Sequence, residues 1–448
     1  MSDLQRAVAF AAVGLCSLAA PAVEGGPTAR TAAVLAAVPF LAVAGYALFL
    51  ADRGRAFDLF ARRGDYEEGR LFGLGGFALA GAGLSALAAG SSLPAPVVAM
   101  AVFALTGGRI ATVAVGSRLS HEFLATAAFG VGALLWGLVG AYAALVVEAG
   151  GALIVPASPA PTLLVFLAAT AAVGAGLLRA MLFERDDPLV LVSVSLLLWL
   201  FVALDVAVPP LRLAIGLAVT VLLGYVAYAL GTASVPGMLT GVLLALFAIV
   251  LGGYGWFALL VTFFGLGGLA AKYRYEEKAA RGIAEDNEGA RGSGNVLANS
   301  AAALGAVVAF TASQGVVPAA APAFRFAYAG AVAAALADTF SSEFGGLFDH
   351  PRLVTTLEPV APGTDGAVTW QGELFGLLGA GIIAGLAAIA FDLGPAAAGV
   401  VLLGGFVGMT VDSLLGATIE GDRLGNQGVN FLATLSGAVA SGALVTLL

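Results

Sequence analysis

Apolar runs long enough to cross a bilayer, which takes about 20 residues as a helix, follow one another along the whole chain. Short breaks of charged residues, proline or glycine separate them, and together they predict about fifteen spans (roughly 13 to 16). The predicted spans are residues 8–23, 31–51, 71–90, 93–108, 123–147, 162–182, 189–208, 211–230, 237–252, 255–271, 295–312, 324–341, 372–391, 395–415 and 428–448. The pattern therefore predicts an all-α fold, a polytopic transmembrane helical bundle.

The composition agrees with this fold class. The 448-residue chain is 60% hydrophobic and 11% charged, whereas soluble domains carry about 25% charged residues. Its mean hydropathy is +0.99, so membrane lipids are its expected surroundings. The formal net charge of −8 argues against a nucleic acid as partner, because surfaces that bind nucleic acids are basic. The single cysteine, Cys16, excludes an intramolecular disulfide and a cysteine-built zinc site.

The distribution of basic residues predicts the orientation of the bundle. If the N-terminus lies in the cytoplasm and the spans alternate, all of the 20 Lys and Arg residues except Arg30, Arg212 and Arg325 fall on the cytoplasmic side. The positive-inside rule expects this asymmetry. The long hydrophilic loops fall on the same side, at 52–70, 272–294, 342–371 and 416–427. We therefore expect a multi-pass protein of the cytoplasmic membrane with functional loops facing the cytoplasm.

Polar residues divide the chain into two parts, with a boundary near Gly231–Pro236. Residues 1–230 have few polar residues inside their spans and are interpreted as a transmembrane extension of unknown role. Beyond the boundary polar residues recur at helix ends, so 231–448 is interpreted as a catalytic-type transmembrane domain. Within it two hairpins, 295–341 and 372–415, run in the same direction, and each ends in an aspartate. This arrangement predicts two carboxylates at one depth on one side of the membrane.

Asp338 lies just after the apolar run 324–336, where an acidic side chain is expensive and usually marks function. Asp338 and Ser342 are four residues apart and so share a helix face, and Glu343 follows directly. Carboxylate and hydroxyl oxygens suit Mg²⁺, which keeps positions for water and phosphate. The sequence therefore predicts a magnesium site made by Asp338, Ser342, Glu343 and Asp412. The alternative interpretation is an aspartate that hydrogen-bonds to a neighbouring helix.

A glycine-rich loop, 289–294, leads into a predicted helix that begins near Asn295. Glycines let the backbone approach an anion, and the free N–H groups of a helix start favour phosphate. We interpret Gly292, Gly294, Asn295 and Asn299 as residues that bind the phosphates of a nucleotide. The chain contains no G-x-x-x-x-G-K-[ST] sequence, so this is not a Walker loop. A flexible linker with a helix cap is the alternative.

The loop 351–366 contains three prolines and two glycines, which favour defined turns. Arg352 and the threonine- and glycine-rich stretch after it predict a second phosphate cradle, in which Arg352 would neutralise developing charge. The predicted binding residues of this cradle are Thr356, Gly363, Thr364 and Gly366. A plain structured connector is the alternative interpretation.

A fourth polar group follows the second hairpin. It begins at Asp412 and continues through Asp422 to Asn426 and Asn430. The two asparagines are four residues apart and therefore share one face of a helix. We predict that they bind the nucleotide or its phosphates, while Asp412 supplies the second carboxylate of the magnesium site.

Four stretches in this order resemble a known family of integral membrane proteins. They are GNVLAN at 294–299, ADTFSSEFG at 337–345, TTLEPVAPGTDG at 355–366 and DSLLGA at 412–417. The family is that of animal transmembrane protein nineteen and the plastid phytyl phosphate kinase. The resemblance covers residues 235–448, and residues 1–230 lie outside it.

The resemblance implies a kinase that transfers a phosphoryl group from a nucleoside triphosphate to a membrane-embedded isoprenoid monophosphate, giving the diphosphate. The acceptor would be of the phytyl or geranylgeranyl type, and the predicted cofactor is Mg²⁺. The predicted catalytic residues are Asp338, Arg352 and Asp412. Three alternatives remain open: a lipid-phosphate cytidylyltransferase that uses the same site, a secondary transporter in which Asp338 and Asp412 are ion sites, and a structural or assembly protein with no turnover.

Overall fold

The apolar runs fold into helices in the computed structural model, which describes residues 2–23, 28–116, 122–153, 160–231, 233–284, 292–421 and 423–448. Of the predicted features, residues 289–291 and Asp422 lie outside these ranges. The chain divides into two compact units, Met1–Val208 and Pro209–Leu448. The helix Pro210–Ala229, which the division of the sequence places in the first part, belongs to the second unit.

Ten α-helices form the described part of the first unit. They are α1 (Asp3–Gly14), α2 (Ala19–Ala22), α3 (Ala29–Gly45), α4 (Arg55–Phe60), α5 (Arg63–Glu68), α6 (Phe72–Gly90), α7 (Ala95–Gly116), α8 (Glu122–Glu148), α9 (Pro161–Met181) and α10 (Asp187–Ala203). A 3₁₀ turn joins α1 to α2, and a π turn extends α3. Both turns lengthen their helices into membrane spans.

The second unit contains nine α-helices and one short hairpin among its described residues. They are α11 (Pro210–Ala229), α12 (Val235–Phe247), α13 (Tyr254–Lys272), α14 (Tyr275–Ala280), α15 (Ser293–Val316), α16 (Ala321–Gly345), β1 (Arg352–Leu353), β2 (Ala367–Val368), α17 (Trp370–Phe391), α18 (Pro395–Gly416) and α19 (Asn426–Leu444). The strands are antiparallel, with Arg352 opposite Val368.

The predicted polytopic helical bundle is confirmed. Within the described ranges, fourteen helices are long and apolar enough to cross a membrane. The predicted span 189–208 is instead the 17-residue helix α10. It stops early because Asp205 adopts a left-handed backbone conformation, with φ of 47°, and the Pro209–Pro210 pair follows. Which ends of the helices face the cytoplasm stays a prediction.

The first unit buries a cluster of charges. Asp187, at the start of α10, is 1% exposed and accepts hydrogen bonds from Arg62 at 2.6 Å and Arg109 at 2.5 Å. Both guanidinium groups also lie over the ring of Phe10, at 4.8 and 5.5 Å from its centroid. Asp65 accepts the backbone N–H of Arg62. Asp187 therefore meets two opposite charges, and both arginines also meet an aromatic face, which offsets the cost of burying them.

Helix α16 is the centre of the second unit. It packs against α13, α15, α17, α18 and α19, and Ala329 and residues 331–337 are at most 1% exposed. Small residues permit this close packing: a Cβ at Gly330 would collide with the carbonyl oxygen of Gly437 in α19. Asp338 follows this stretch directly, in the C-terminal part of α16, and is only partly buried.

Thr369 joins the end of α16 to the start of α17. Its side chain accepts the N–H of Gly372 at 3.1 Å and so caps α17. The same hydroxyl donates to the carbonyl oxygen of Gly345, at 3.3 Å. Such a cap satisfies backbone groups that the helix leaves unpaired. The helix ends around the cavity described below are therefore held by short-range contacts.

Candidate functional site

A cavity of about 680 Å³ opens at one end of the second unit, within the range of small-molecule sites. The starts of α15 and α19, the ends of α16 and α18, and the loop between α16 and α17 form its walls. Twelve of the predicted site residues line it: Gly292, Gly294, Asn295, Asn299, Asp338, Ser342, Gly363, Thr364, Gly366, Asp412, Asn426 and Asn430. Residues from all four predicted polar groups thus share one cavity.

Asp338 and Asp412 meet in this cavity. Their side chains, from the ends of α16 and α18, lie within hydrogen-bonding reach of each other. Oδ1 of Asp412 is buried and has no hydrogen-bond partner. Two carboxyl groups so close together are both ionised only when a cation lies between them, and without a cation they share a proton. The two hairpins therefore bring two acids together in the way that their sequence pattern predicts.

The residues of this pair suit Mg²⁺ as the resident cation. In the described ranges, no group of three or more His, Cys, Asp or Glu side chains is arranged to hold a metal ion by itself. Magnesium rarely needs such a cage, since it keeps waters and is commonly held by one or two carboxylates together with substrate phosphates. Asp338 and Asp412, with the unpartnered Oδ1 of the latter, match this donor set, and Ser342 lines the cavity nearby.

Two helix starts face the same cavity. The first turns of α15 and α19 contain no acidic residue, and neither N-cap, Gly292 or Gly425, supplies a side-chain hydrogen bond. The two starts are in contact, because a Cβ at Gly294 would collide with the side-chain amide of Gln427. N–H groups at such positions carry partial positive charge and bind anions. This wall suits phosphate oxygens.

The predicted asparagines form a pair within each of these helices. Nδ2 of Asn299 donates to the carbonyl and Oδ1 oxygens of Asn295, at 3.0 and 3.2 Å. Nδ2 of Asn430 donates to Oδ1 of Asn426 at 2.6 Å. Because each bond spans four residues, it fixes the amides on the helix face that lines the cavity.

The loop between α16 and α17 is a folded hairpin that packs on the end of α18. Gly366, with φ of 72°, adopts a conformation that favours glycine. A Cβ at Gly366 would also collide with the backbone of Ala417, while one at Gly416 would lie 2.8 Å from the Gly366 nitrogen. Gly366 therefore brings the loop against α18 in addition to lining the cavity. The Thr364 hydroxyl donates to Ala361 O within the same loop.

Arg352 and Thr356 do not line the cavity. Arg352 is exposed, and its Nη1 donates to the carbonyl oxygen of Leu357 at 2.6 Å. That contact braces a turn in which Leu357 has φ of 59°. Thr356 Oγ1 accepts the Glu358 N–H at 3.4 Å. The structure therefore places both side chains in the internal bonding of the loop, away from the predicted phosphate cradle.

Glu343 also points away from the cavity. Its Oε2 accepts a 2.5 Å hydrogen bond from Nζ of Lys278 in α14, and the two side chains are 7% and 1% exposed. Lys278 donates as well to the carbonyl oxygens of Ala270 and Ala271, at 3.0 and 2.7 Å. It thereby satisfies the C-terminal end of α13. The structure thus pairs Glu343 with a lysine, whereas the sequence predicts it as a magnesium ligand.

Two further acids stand in the cavity, and the sequence indicates one of them, Asp365, as a possible metal ligand. Asp365 and Glu420 line the cavity with Asp338 and Asp412. Burial, followed by the charges of Asp365 and Asp412, raises the pKa of Glu420 above its ordinary value. The described lining residues include no Lys or Arg. Among the described lining residues, the groups available to a phosphate are therefore the N–H groups of the helix starts and a cation held by the carboxyl groups, and no basic side chain.

Comparisons with known proteins agree with the features of the second unit. Residues 218–438 match the family described as integral membrane protein DUF92. The chain is 38% identical to an uncharacterised membrane protein of Methanocaldococcus jannaschii over 193 residues. These residues are 42% of this chain and 75% of that protein.

Two further relatives come from photosynthetic organisms. The chloroplast protein VTE6 of Arabidopsis thaliana is 31% identical over 191 residues, which are 41% of this chain and 57% of that protein. An uncharacterised membrane protein of Synechocystis is 32% identical over 198 residues, which are 42% of this chain and 72% of that protein. No solved structure matches the chain significantly.

Proposed function

Because the chain belongs to the DUF92 family of integral membrane proteins, as the resemblance of its motifs predicts, we propose that it is a prenyl-phosphate kinase. In this proposal it transfers a phosphoryl group from a nucleoside triphosphate to an isoprenoid monophosphate in the membrane. The proposal draws on the resemblance to the family of the plastid phytyl phosphate kinase, and the 31% identity to chloroplast VTE6 supports it.

One observation carries the proposal: paired carboxyl groups stand beside two helix starts in a single cavity. Asp338 and Asp412 supply the charge that a divalent cation needs, and the starts of α15 and α19 supply N–H groups. A phosphoryl-transfer enzyme needs this combination, because its work is mainly positioning and neutralising phosphate charge. An ion site for transport would use the acids but has no need of the helix starts.

The residues of this chain have separate tasks in such a transfer. Asp338 and Asp412 would hold Mg²⁺, and that ion supplies neutralisation of charge on the transferred phosphate. The N–H groups after Gly292 and Gly425 would bind the remaining phosphate oxygens. The asparagine pairs Asn295–Asn299 and Asn426–Asn430 would orient the phosphates through their amides. The hairpin carrying Gly363–Gly366 would close the side of the cavity away from the spans.

The acceptor needs little activation. An isoprenoid monophosphate already presents an anionic oxygen as nucleophile, so no strong general base is required. The carboxylates and helix ends lie at the ends of membrane spans, where a lipid phosphate and a water-borne nucleotide can meet. The prenyl tail would lie between the spans, in contact with lipid.

Turnover by purified protein in lipid tests the proposal. Geranylgeranyl and phytyl monophosphates would be offered with Mg²⁺ and each nucleoside triphosphate, and the products followed by mass. We expect a prenyl diphosphate, and a decrease of about 100-fold or more in Asp338→Asn, since removing a group that stabilises transition-state charge costs at least that much.

Asp392→Asn is the matched control. Asp392 is exposed and caps the far end of α17 in a left-handed conformation that asparagine also adopts, so this variant should keep full activity. A nucleotidyl-lipid together with pyrophosphate would make the protein a cytidylyltransferase. No product with any nucleotide, from protein that unfolds cooperatively, would overturn the proposal and favour transport.

A further inference from the structure

The cavity of the second unit is lined by residues inside the spans and by residues between them. The two aspartates lie inside α16 and α18, within membrane spans. Ile283, Phe348, Pro351 and Pro362, here called the apolar wall, all come from segments between the spans. Outside the spans the cavity therefore offers apolar side chains beside the acids Asp365 and Glu420.

Close packing holds this apolar wall in place. A Cβ at Gly346 would lie 2.7 Å from Cδ1 of Ile283, and one at Gly363 would lie 3.0 Å from its Cγ2. The Ile283 side chain therefore packs between the backbones of Gly346 and Gly363. The ring of Phe348 is stacked on Phe375, with centroids 6.4 Å apart and an interplanar angle of 26°. Both side chains have a firm backing behind the surface that they present to the cavity.

The buried ion pair also fixes the position of Ile283. The Ile283 N–H donates to the carbonyl oxygen of Lys278 at 3.0 Å. Lys278 is anchored in turn to Glu343 and to the end of α13. Since unpairing a buried charge is costly, α14 is held where it is. The position of Ile283 in the apolar wall is thus fixed through the buried Lys278–Glu343 pair.

The position of the wall decides what it can bind. A prenyl tail must lie in hydrocarbon, whereas the wall is formed entirely by residues outside the spans. A nucleotide arrives from water, and its base has flat faces that stack on aromatic rings. We propose that Ile283 and Phe348 bind the base of the nucleoside triphosphate, with its phosphates directed toward Asp338 and Asp412. This inference rests on the proposed kinase function.

Equilibrium binding to purified protein, measured by calorimetry with Mg²⁺ present, separates the wall from the phosphate end. Each nucleoside triphosphate is compared with inorganic tripolyphosphate, which has no base. We expect Phe348→Ala to weaken nucleotide binding about tenfold, the scale of one lost base–aromatic stack, and to leave tripolyphosphate binding unchanged. Ile283→Ala should act in the same direction, and Phe348→Trp should retain nucleotide affinity.

Phe344→Ala is the matched control, because it removes a ring that packs near Phe375 but does not line the cavity. Equal losses for nucleotide and tripolyphosphate, or no loss in Phe348→Ala, would overturn the inference. So would wild-type protein that binds tripolyphosphate but no nucleotide. Nucleotide binding that depends on the wall, without a diphosphate product, would support the inference and refute the kinase.

Discussion

The two units treat buried charge in opposite ways. In the first unit Asp187 is enclosed by the two arginines that neutralise it, and their guanidinium groups also cover an aromatic ring. In the second unit Asp338 and Asp412 lie within hydrogen-bonding reach of each other and line one cavity. Opposite charges placed together offset the cost of their burial, whereas like charges placed together are stable only with a cation or a proton between them. The charges of the first cluster neutralise one another between helices, whereas the two aspartates of the second unit line a cavity that is open to a ligand.

Removal of the carboxylate in the first cluster should have the largest effect on stability. Asp187→Asn removes the carboxylate that both Arg62 and Arg109 contact, so we expect a loss of about 3 to 5 kcal/mol in the free energy of unfolding. Denaturant unfolding of the purified protein in detergent measures it. Asp52→Asn, which breaks an exposed contact to Arg53 at 3.8 Å, should cost about 0.5 kcal/mol at most. Similar losses in the two variants would remove the contrast between buried and exposed pairs.

The Lys278–Glu343 pair lies in the second unit but, like the cluster of the first unit, it joins buried groups of opposite charge. Its loss should have an effect of intermediate size. We expect Glu343→Gln to cost about 2 kcal/mol, the value of a buried hydrogen bond to a charged group. The Mg²⁺ concentration for half-maximal turnover should stay unchanged. Glu277→Gln, which breaks partly exposed pairs to Arg274 and Arg281 beside Lys278, is the control. An altered Mg²⁺ requirement with unchanged stability would make Glu343 a metal ligand after all.

The smallest expected effect is also the one of opposite sign. Asp412→Asn removes a charge that lies against Asp338 and supplies a donor in its place, so without Mg²⁺ it should stabilise the protein by about 1 kcal/mol. Added Mg²⁺ should raise the unfolding temperature of the wild type and leave that of the variant unchanged. Loss of stability in Asp412→Asn without Mg²⁺ would show that this pair is structural, like the cluster of the first unit.

Much of the site could be predicted from local sequence patterns. The hairpins ending in Asp338 and Asp412 predict two acids at one depth, and the structure brings them together. The glycine-rich start of α15 and the asparagines of α19 line the same cavity. These predictions succeed because a helix end fixes the direction of its side chains and free N–H groups within one turn. The roles of these residues in catalysis stay predictions.

Other assignments needed contacts between elements far apart in the chain. Nothing near Glu343 indicates that its partner is Lys278, 65 residues earlier. The chain has only one other lysine, Lys272. This scarcity is the one feature of the sequence that singles out Lys278 as a residue with a specific role. Arg352 likewise resembles a phosphate ligand until its hydrogen bond to Leu357 is seen. The residues next to a charged side chain in the sequence do not indicate which distant group it will pair with.

The sequence by itself determined the membrane class, nearly all of the helices and the family. The membrane class and the helices follow from the length and composition of single segments, which decide whether a helix can satisfy its backbone inside a bilayer. The family follows from four short motifs in a fixed order. Only the tertiary structure decided which charges pair with each other, which face a cavity, and where its apolar wall stands. Those outcomes depend on packing between α14, α16, α18 and the loop after α16, because Coulomb and packing energies act over a few ångströms in space, whatever the separation along the chain.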